Sequence, residues 1–272
     1  MSGTTELLDG YFERIGYGGP TRPDLATLTA IHRAHLAAIP YENLEIQLGR
    51  EKTIDENAFF DALVMRRRGG WCYEMNGLLT TMLRALGYRV RRVGGAVARS
   101  RFPDDAVGNH MVGLVDIEGT RFVADVGLGD GPLEPFELTE SAWTEGDLTF
   151  SLERLDDGWW RFQNHEHGLA PDFDFTEEER PLDWYRPKCA QLQVDPHSPF
   201  VNYAMTFRRT PTGARSLRDT WLIEVDGSTR TERRIEDERE YRTVLTDLLG
   251  CDLGDELTGL WHRARDRDLQ RL

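Results

Sequence analysis

The sequence predicts an α+β protein in three parts: a helical first third, a β-rich middle and a smaller α/β end. Two observations carry this. Between Leu7 and Leu86 apolar residues recur at three- and four-residue steps, the spacing of one helix face. From Tyr88 the period drops to two, the alternation expected of strands. At 272 residues, with 39% hydrophobic and 29% charged residues, the chain can bury a substantial core.

Leu7, Tyr11, Phe12 and Ile15 mark the first helix. Asp24 can N-cap a second, which carries Leu25, Leu28, Ile31, His32, His35 and Leu36 and is stopped by Pro40. Residues 41–46 read as an extended connector. Asp55 opens a third helix with Phe59, Phe60, Leu63 and Val64, ending near Arg66-Arg67-Arg68. In the fourth, Met75, Leu78, Leu79, Met82, Leu83 and Leu86 share one face, and Gly87 can supply a left-handed cap. Strands follow at 88–98, 109–117, 120–127, 148–155 and 158–164, with turns at Glu118-Gly119 and Asp156-Asp157-Gly158. Residues 172–200, rich in Pro, Asp and Glu, read as irregular. Strands at 201–208 and 219–225 precede helices near 236–249 and 254–269. These elements divide the chain at 1–87, 88–200 and 201–272.

The formal charge of −14 argues against a nucleic-acid partner, which needs a basic surface. No apolar run approaches the roughly 18 residues of a membrane span. Residues 1–10 lack the basic start and apolar core of a secretory signal. Cys72, Cys189 and Cys251 are too few and too scattered for a disulfide framework, so a reducing cytoplasm is expected.

Cys72 follows the Gly69-Gly70-Trp71 turn and begins the fourth helix. Unpaired N–H groups and the positive end of the helix dipole favour thiolate over thiol at such a place. Two glycines let another group approach the sulfur closely. A lone cysteine is commonly a small buried hydrophobe, so its partners decide. If Glu118-Gly119 is a two-residue hairpin loop, Val112 faces Asp125 and His110 faces Gly127, all four on one sheet face. His110 and Asp125 are then diagonal neighbours, within reach of a side-chain hydrogen bond. Asp125 interrupts an apolar strand and needs a partner. A thiolate nucleophile, an imidazole base and an orienting carboxylate are thus available, although a structural His–Asp hydrogen bond satisfies the same spacing.

Three blocks resemble the arylamine N-acetyltransferase family. Arg68-Gly69-Gly70-Trp71-Cys72-Tyr73-Glu74-Met75-Asn76-Gly77 is similar to its Arg-Gly-Gly-aromatic-Cys block. Ile39-Pro40-Tyr41-Glu42-Asn43-Leu44 is similar to its Pro-Phe-Glu-Asn-Leu block. His110 with its strand, then Asp125-Val126-Gly127-Leu128-Gly129, is similar to its histidine strand and Asp-Val-Gly-Phe-Gly turn. Pro196, Ser198 and Phe200 match a later segment weakly. The resemblance implies an N-terminal helical bundle carrying Cys72, a central β-barrel carrying His110 and Asp125, and a C-terminal α/β lid, around a cysteine-protease-like core. It further implies ping-pong transfer from acetyl-coenzyme A to an arylamine or hydrazine, as in xenobiotic metabolism, without a metal, by a monomer or homodimer. Cys72 takes the place of the acetyl-accepting nucleophile, His110 of the base and Asp125 of the residue that orients it. Tyr41, Leu128 and Phe200 match acceptor-pocket positions.

Leu128 stands where the family usually has phenylalanine, and Asp130-Gly131-Pro132-Leu133-Glu134-Pro135 replaces a more neutral stretch. Two acids there suit an anionic donor poorly unless Arg99 and Arg101, or Arg208 and Arg209, offset them. Amide synthases that close macrolactams belong to the same family and are an alternative, as is a cysteine hydrolase with the same triad. Glu42 and Arg68, in the two blocks flanking the third helix, are expected to pair and pin the Gly69-Gly70 turn. His165-Glu166-His167 has two-residue imidazole spacing but no third ligand, so a metal is not expected. Gly127, Gly129 and Gly131 lack the strand–GxGxxG–helix setting of a dinucleotide site.

Overall fold

The computed structural model describes residues 2–103 and 105–270. The N-terminal helices are α1 (Ser2–Ile15), α2 (Leu25–Ala38), α3 (Leu44–Gln47), α4 (Glu56–Phe60) and α5 (Cys72–Ala85), with strand β1 (Tyr41–Glu42) between α2 and α3. Asp24 caps α2 by accepting from Thr27 N–H at 2.9 Å, and Asp55 caps α4 through Asn57 and Ala58. The expected third helix ends at Met65, with Arg66 as its cap, but its second half is not α-helical. It widens into a π-helical turn at Asp61–Met65, and Arg14 takes the Leu63 carbonyl at 2.7 Å. The connector is extended only at Tyr41–Glu42 and then turns helical.

Eight strands form one sheet: β2 (Arg89–Val97), β3 (His110–Ile117), β4 (Thr120–Ala124), β5 (Phe136–Glu137), β6 (Ser141–Glu145), β7 (Leu148–Arg154), β8 (Trp160–Gln163) and β9 (Asp172–Glu179). Their order is β5-β4-β3-β2-β9-β8-β7-β6. The sheet curls until its edges meet through side chains. Phe136 of β5 lies 4.8 Å from Trp143 of β6 and 5.4 Å from Phe162 of β8, ring to ring. It is an open curled sheet rather than a barrel closed by backbone hydrogen bonds, because two-residue β5 ladders only with β4. Inside it pack Val112, Leu114, Phe150, Phe162, Phe173 and Phe175.

The β3–β4 hairpin has the expected register: Ile117 faces Thr120 and Gly113 faces Ala124. Glu118 and Gly119 both take positive φ, 50° and 88°, the two-residue turn that matches strand twist. Residues 172–200 are not irregular. They hold β9, central in the sheet, then α6 (Arg186–Val194) and α7 (Pro199–Asn202). The Asp174 carboxylate is accepted there, fully buried, because Arg99 and Arg161 both bond it.

The C-terminal strands β10 (Met205–Arg209), β11 (Gly213–Arg218), β12 (Trp221–Asp226) and β13 (Thr229–Arg234) extend the sheet that β1 begins, followed by α8 (Glu238–Leu249) and α9 (Glu256–Gln270). β11 and β13 are additional to the strands read from sequence. Tyr41 pairs with Phe207 on one side and bridges Gly70 on the other. The Pro40–Glu42 segment therefore holds the turn before Cys72 by backbone: Glu42 N–H donates to Gly70 O at 2.9 Å, and Gly70 N–H to Pro40 O at 3.2 Å. A Cβ on Gly69 would come within 2.4 Å of Pro40 O, so this turn admits no side chain there.

Arg68 does not pair with Glu42, as expected from the sequence, but with Glu45 at 2.8 Å and more distantly with Glu256. Glu42 instead turns its carboxylate back to accept from Leu44 N–H. The short helix α3 brings Glu45 to Arg68, which an extended connector would not. Arg68→Gln leaves Glu45 buried with Arg50 as a more exposed partner. The loss should lie near the lower end of the roughly 3–5 kcal/mol for breaking a buried pair. A double-mutant cycle by thermal unfolding should give larger coupling for Arg68–Glu45 than for Arg68–Glu42.

Candidate active site

Helix α5 presents Cys72 as its first residue, buried, with Trp71 in an extended conformation before it. The sulfur lies 3.6 Å from Asn109 O. Asn109 is itself locked to the end of β2, accepting from Val97 N–H at 2.8 Å and donating to Val97 O at 3.1 Å. The adjacent His110 opens β3. Its Nε2 lies 2.7 Å from Asp125 Oδ2, and Cys72 is near enough to act on the imidazole electrostatically. Burial opposes a charged imidazole, but Asp125 and Cys72 outweigh it and push the His110 pKa up to about 10. Burial likewise works against the Asp125 carboxylate. His110, Asn76 and the Gly127 N–H overcome it and hold that carboxyl below its usual range.

Asn76 is the residue the sequence reading did not single out. One helical turn after Cys72, its Nδ2 donates to Asp125 Oδ1 at 2.7 Å and to Met111 O at 2.6 Å, while its Oδ1 accepts from Val126 N–H at 2.8 Å. Gly127 N–H completes Asp125 Oδ1 at 2.8 Å. The available signal was the i, i+4 spacing from Cys72, which places a buried amide on the same helix face. Gly127 meets the helix directly: a Cβ there would lie 2.8 Å from Cys72 Cα and 2.6 Å from Asn76 Nδ2.

A cavity of about 320 Å³ opens onto Cys72 and His110. Tyr41, Leu128 and Phe200 all line it, with Leu169, Leu192, Met205 and Phe207. Phe200 packs edge-on to Trp71, centroids 4.9 Å apart. Arg101 is the arginine on the cavity wall among the described residues. The other arginines considered are engaged elsewhere: Arg99 with Asp174 and Asp157, Arg208 with backbone carbonyls, and Arg209, buried, with Gly131 O and Glu145. The acids of the 130–135 stretch do not face a donor as free charges. Asp130 is buried, accepting from Asn164 and Leu169 N–H, and Glu134 pairs with Arg33.

His165 and His167 do not share a strand; they lie in the loop between β8 and β9. Their ring nitrogens face Asp130 O and Ser228 O, and no cluster of three metal-ligating residues occurs among the described residues. Cys189 is buried against Lys52 O, and burial pushes its thiol up to about 12. Among the described residues no helix is long and apolar enough to cross a membrane.

The packing generates two expectations. Gly127→Ala should keep the fold by circular dichroism but displace the start of α5 and lower Cys72 alkylation by iodoacetamide at least about tenfold. Asn76→Ala should slow the same alkylation and shift its pH profile, because Asp125 loses a charge-assisted donor.

Comparison with known proteins fits this geometry. A family model described as N-acetyltransferase matches residues 24–258. The chain is 35% identical over 277 residues to the arylamine N-acetyltransferase of Mycolicibacterium smegmatis, covering 91% of this chain and 93% of that protein. It is 30% identical over 261 residues to the arylamine N-acetyltransferase of Escherichia coli, covering 94% and 92%. The solved structure of Mycobacterium marinum arylamine N-acetyltransferase in complex with CoA has a TM-score of 0.85 at 29% identity, covering 94% of this chain and 98% of that one.

Proposed function

Because the chain belongs to the arylamine N-acetyltransferase family, we propose that it transfers an acetyl group from acetyl-coenzyme A to the nitrogen of an arylamine or hydrazine by a ping-pong reaction at Cys72. The observation that carries this reading is the His110–Asp125 contact of 2.7 Å beside Cys72 at the mouth of an apolar cavity. With Asp125 on Nε2, Nδ1 is the ring nitrogen that serves Cys72, and the raised His110 pKa means that the imidazolium persists through neutral pH. The Cys72 thiolate attacks the thioester carbonyl. The Sγ–acyl bond forms, the acyl–coenzyme bond breaks, and the departing thiolate takes the His110 proton. Glu74 and Met75 N–H of the first turn of α5 already bond Trp71 O, which leaves the Cys72 and Tyr73 N–H groups for the transient oxyanion. The acceptor amine then attacks the acyl carbonyl, His110 takes its proton, and Cys72 is released as thiolate.

Coenzyme A fits the residues present in two respects: the cavity wall is apolar enough for an acyl arm, and Arg101 supplies positive charge at it. About 320 Å³ is the low end for ligand sites and suits an acetyl group with one aromatic ring. That size favours a small acceptor over a macrolactam precursor, and the apolar lining favours transfer over hydrolysis. The division at 87/88 and 200/201 belongs to the same proposal. A separate core under α8–α9 supports the second boundary, whereas the core under the first helices also takes in Val90, Met111 and Val115 of the sheet, so the first boundary rests on the change from helix to strand; Tyr41–Glu42 of the first part serves as edge strand to the third.

Incubation with acetyl-coenzyme A and a panel of aromatic amines and hydrazines, followed by intact mass, tests the reading. One acetyl group should appear on Cys72 and be discharged by the acceptor, and Cys72→Ala should abolish both. Labelling that persists in Cys72→Ala would overturn it. Asp125→Asn should cost on the order of 10⁴ in rate, as for the equivalent serine-triad change. His110 is protonated below its raised pKa, so acylation should hold from neutrality upward and fall only as pH passes about 10. His110→Gln should remove that limb.

Leu128 offers less stacking surface than an aromatic side chain. Leu128→Phe should lower the KM for aniline-type acceptors by up to about tenfold, the range of an aromatic pair, and leave acylation by the donor nearly unchanged. Impaired acylation with unaltered acceptor preference would place Leu128 on the donor side.

A further inference from the structure

Two side chains just behind the nucleophile take no part in the reaction above, yet both are ionisable and buried. Lys52 Nζ lies 2.7 Å from Glu74 Oε1, with side chains only 7% and 5% exposed. Glu74 is the third residue of α5, two positions after Cys72. Its carboxylate folds back over the turn that precedes the helix, since a Cβ on Gly70 would meet Glu74 Oε2 at 2.9 Å. That second oxygen has no hydrogen-bond partner.

Other charges around the pair do not relieve it. Glu42 from β1 and Glu45 from α3 act on Lys52 through space, and Glu42 acts on Glu74 as a second negative charge. Arg68 and Arg50 are committed to Glu45 and Glu256. From α6 the facing ionisable group is Cys189, buried and protonated. Burial raises the Glu74 carboxyl, and Lys52 is the chief opposing influence.

Lys52 cannot simply follow a rearrangement. Its N–H donates to Gln193 Oε1 at 2.6 Å, and its carbonyl accepts from Gln193 Nε2 at 2.9 Å, so α6 fixes its backbone. The residue type is also unusual for this chain, which has two lysines and 31 arginines. A guanidinium has five donors to satisfy, whereas one ammonium suits a dry site whose acceptor is a single carboxylate.

We propose that Lys52 is a positioning residue for the nucleophile: its ammonium neutralises Glu74, so the first turn of the Cys72 helix carries no uncompensated negative charge and the thiolate can form beside His110. The inference rests on Cys72 as the reactive thiol, and its readout is alkylation by iodoacetamide, which is independent of the donor or acceptor used.

The pH profile of Cys72 alkylation is measured for the parent, Lys52→Met, Glu74→Gln and the double variant Lys52→Met/Glu74→Gln. In Lys52→Met, Glu74 loses the chief influence that opposes its burial and should hold its proton to higher pH than in the parent. A second ionisation then enters the profile, with alkylation falling on the order of threefold on its high-pH side. That ionisation should vanish in the double variant. Glu74→Gln alone leaves an unopposed ammonium, which should raise alkylation on the acidic limb on the order of threefold. If Lys52→Met does not fold, the acidic limb of Glu74→Gln decides. A Lys52→Met profile of parental shape, a second ionisation that persists in the double variant, or an unmoved acidic limb in Glu74→Gln would each overturn the proposal.

Discussion

The Asp125 carboxylate is where helix and sheet are fastened together. One oxygen meets His110 from β3; the other accepts from Asn76 on α5 and from the Gly127 backbone. A buried carboxylate is tolerable only when its charge and lone pairs are matched, and here each partner comes from a different segment. Because Cys72 and Asn76 lie one turn apart on one helix, the same contact that holds Asp125 also fixes the sulfur relative to the imidazole. The geometry of the pair is therefore set by rigid elements rather than by loops.

The strongly acidic chain nevertheless builds an apolar cavity around this centre. It does so by pairing its charges locally. Asp174 is enclosed by Arg99 and Arg161, Asp130 by Asn164 and the Leu169 N–H, and Glu45 by Arg68 and Arg50. What is left on the cavity wall is mainly hydrocarbon and aromatic surface with Arg101. In such surroundings the attraction between a thiolate and an imidazolium is screened little.

The far end of the chain completes the pocket. Asn43 donates to Phe200 O and Tyr203 O and accepts from Met205 N–H, and Gln47 also bonds Phe200 O. Two short polar side chains before α4 thus hold α7 and β10 against the Trp71–Phe200 contact. The pocket wall is assembled from segments more than 150 residues apart, which explains why it depends on the β1–β10 pairing.

The sequence by itself determined those features whose physics is local. Period-2 alternation with a two-residue turn at Glu118-Gly119 predicts the hairpin register, and that register alone brings His110 and Asp125 together. Capping at Asp24 and Asp55 and the apolar face of α5 are equally local. Tertiary structure decided the rest. The Asp172–Glu179 segment has a composition poor in strand formers, and it becomes a central strand only because β2 and β8 flank it and two arginines neutralise Asp174. The partner of Arg68 could not be read either, because Glu42 and Glu45 are near in sequence and only the turn into α3 chooses between them. Likewise nothing local marks Lys52 as buried, and the i, i+4 spacing from Cys72 places Asn76 on the right helix face without naming Asp125 as its partner. Those roles arise from long-range packing, where burial rather than propensity sets which polar groups must find each other.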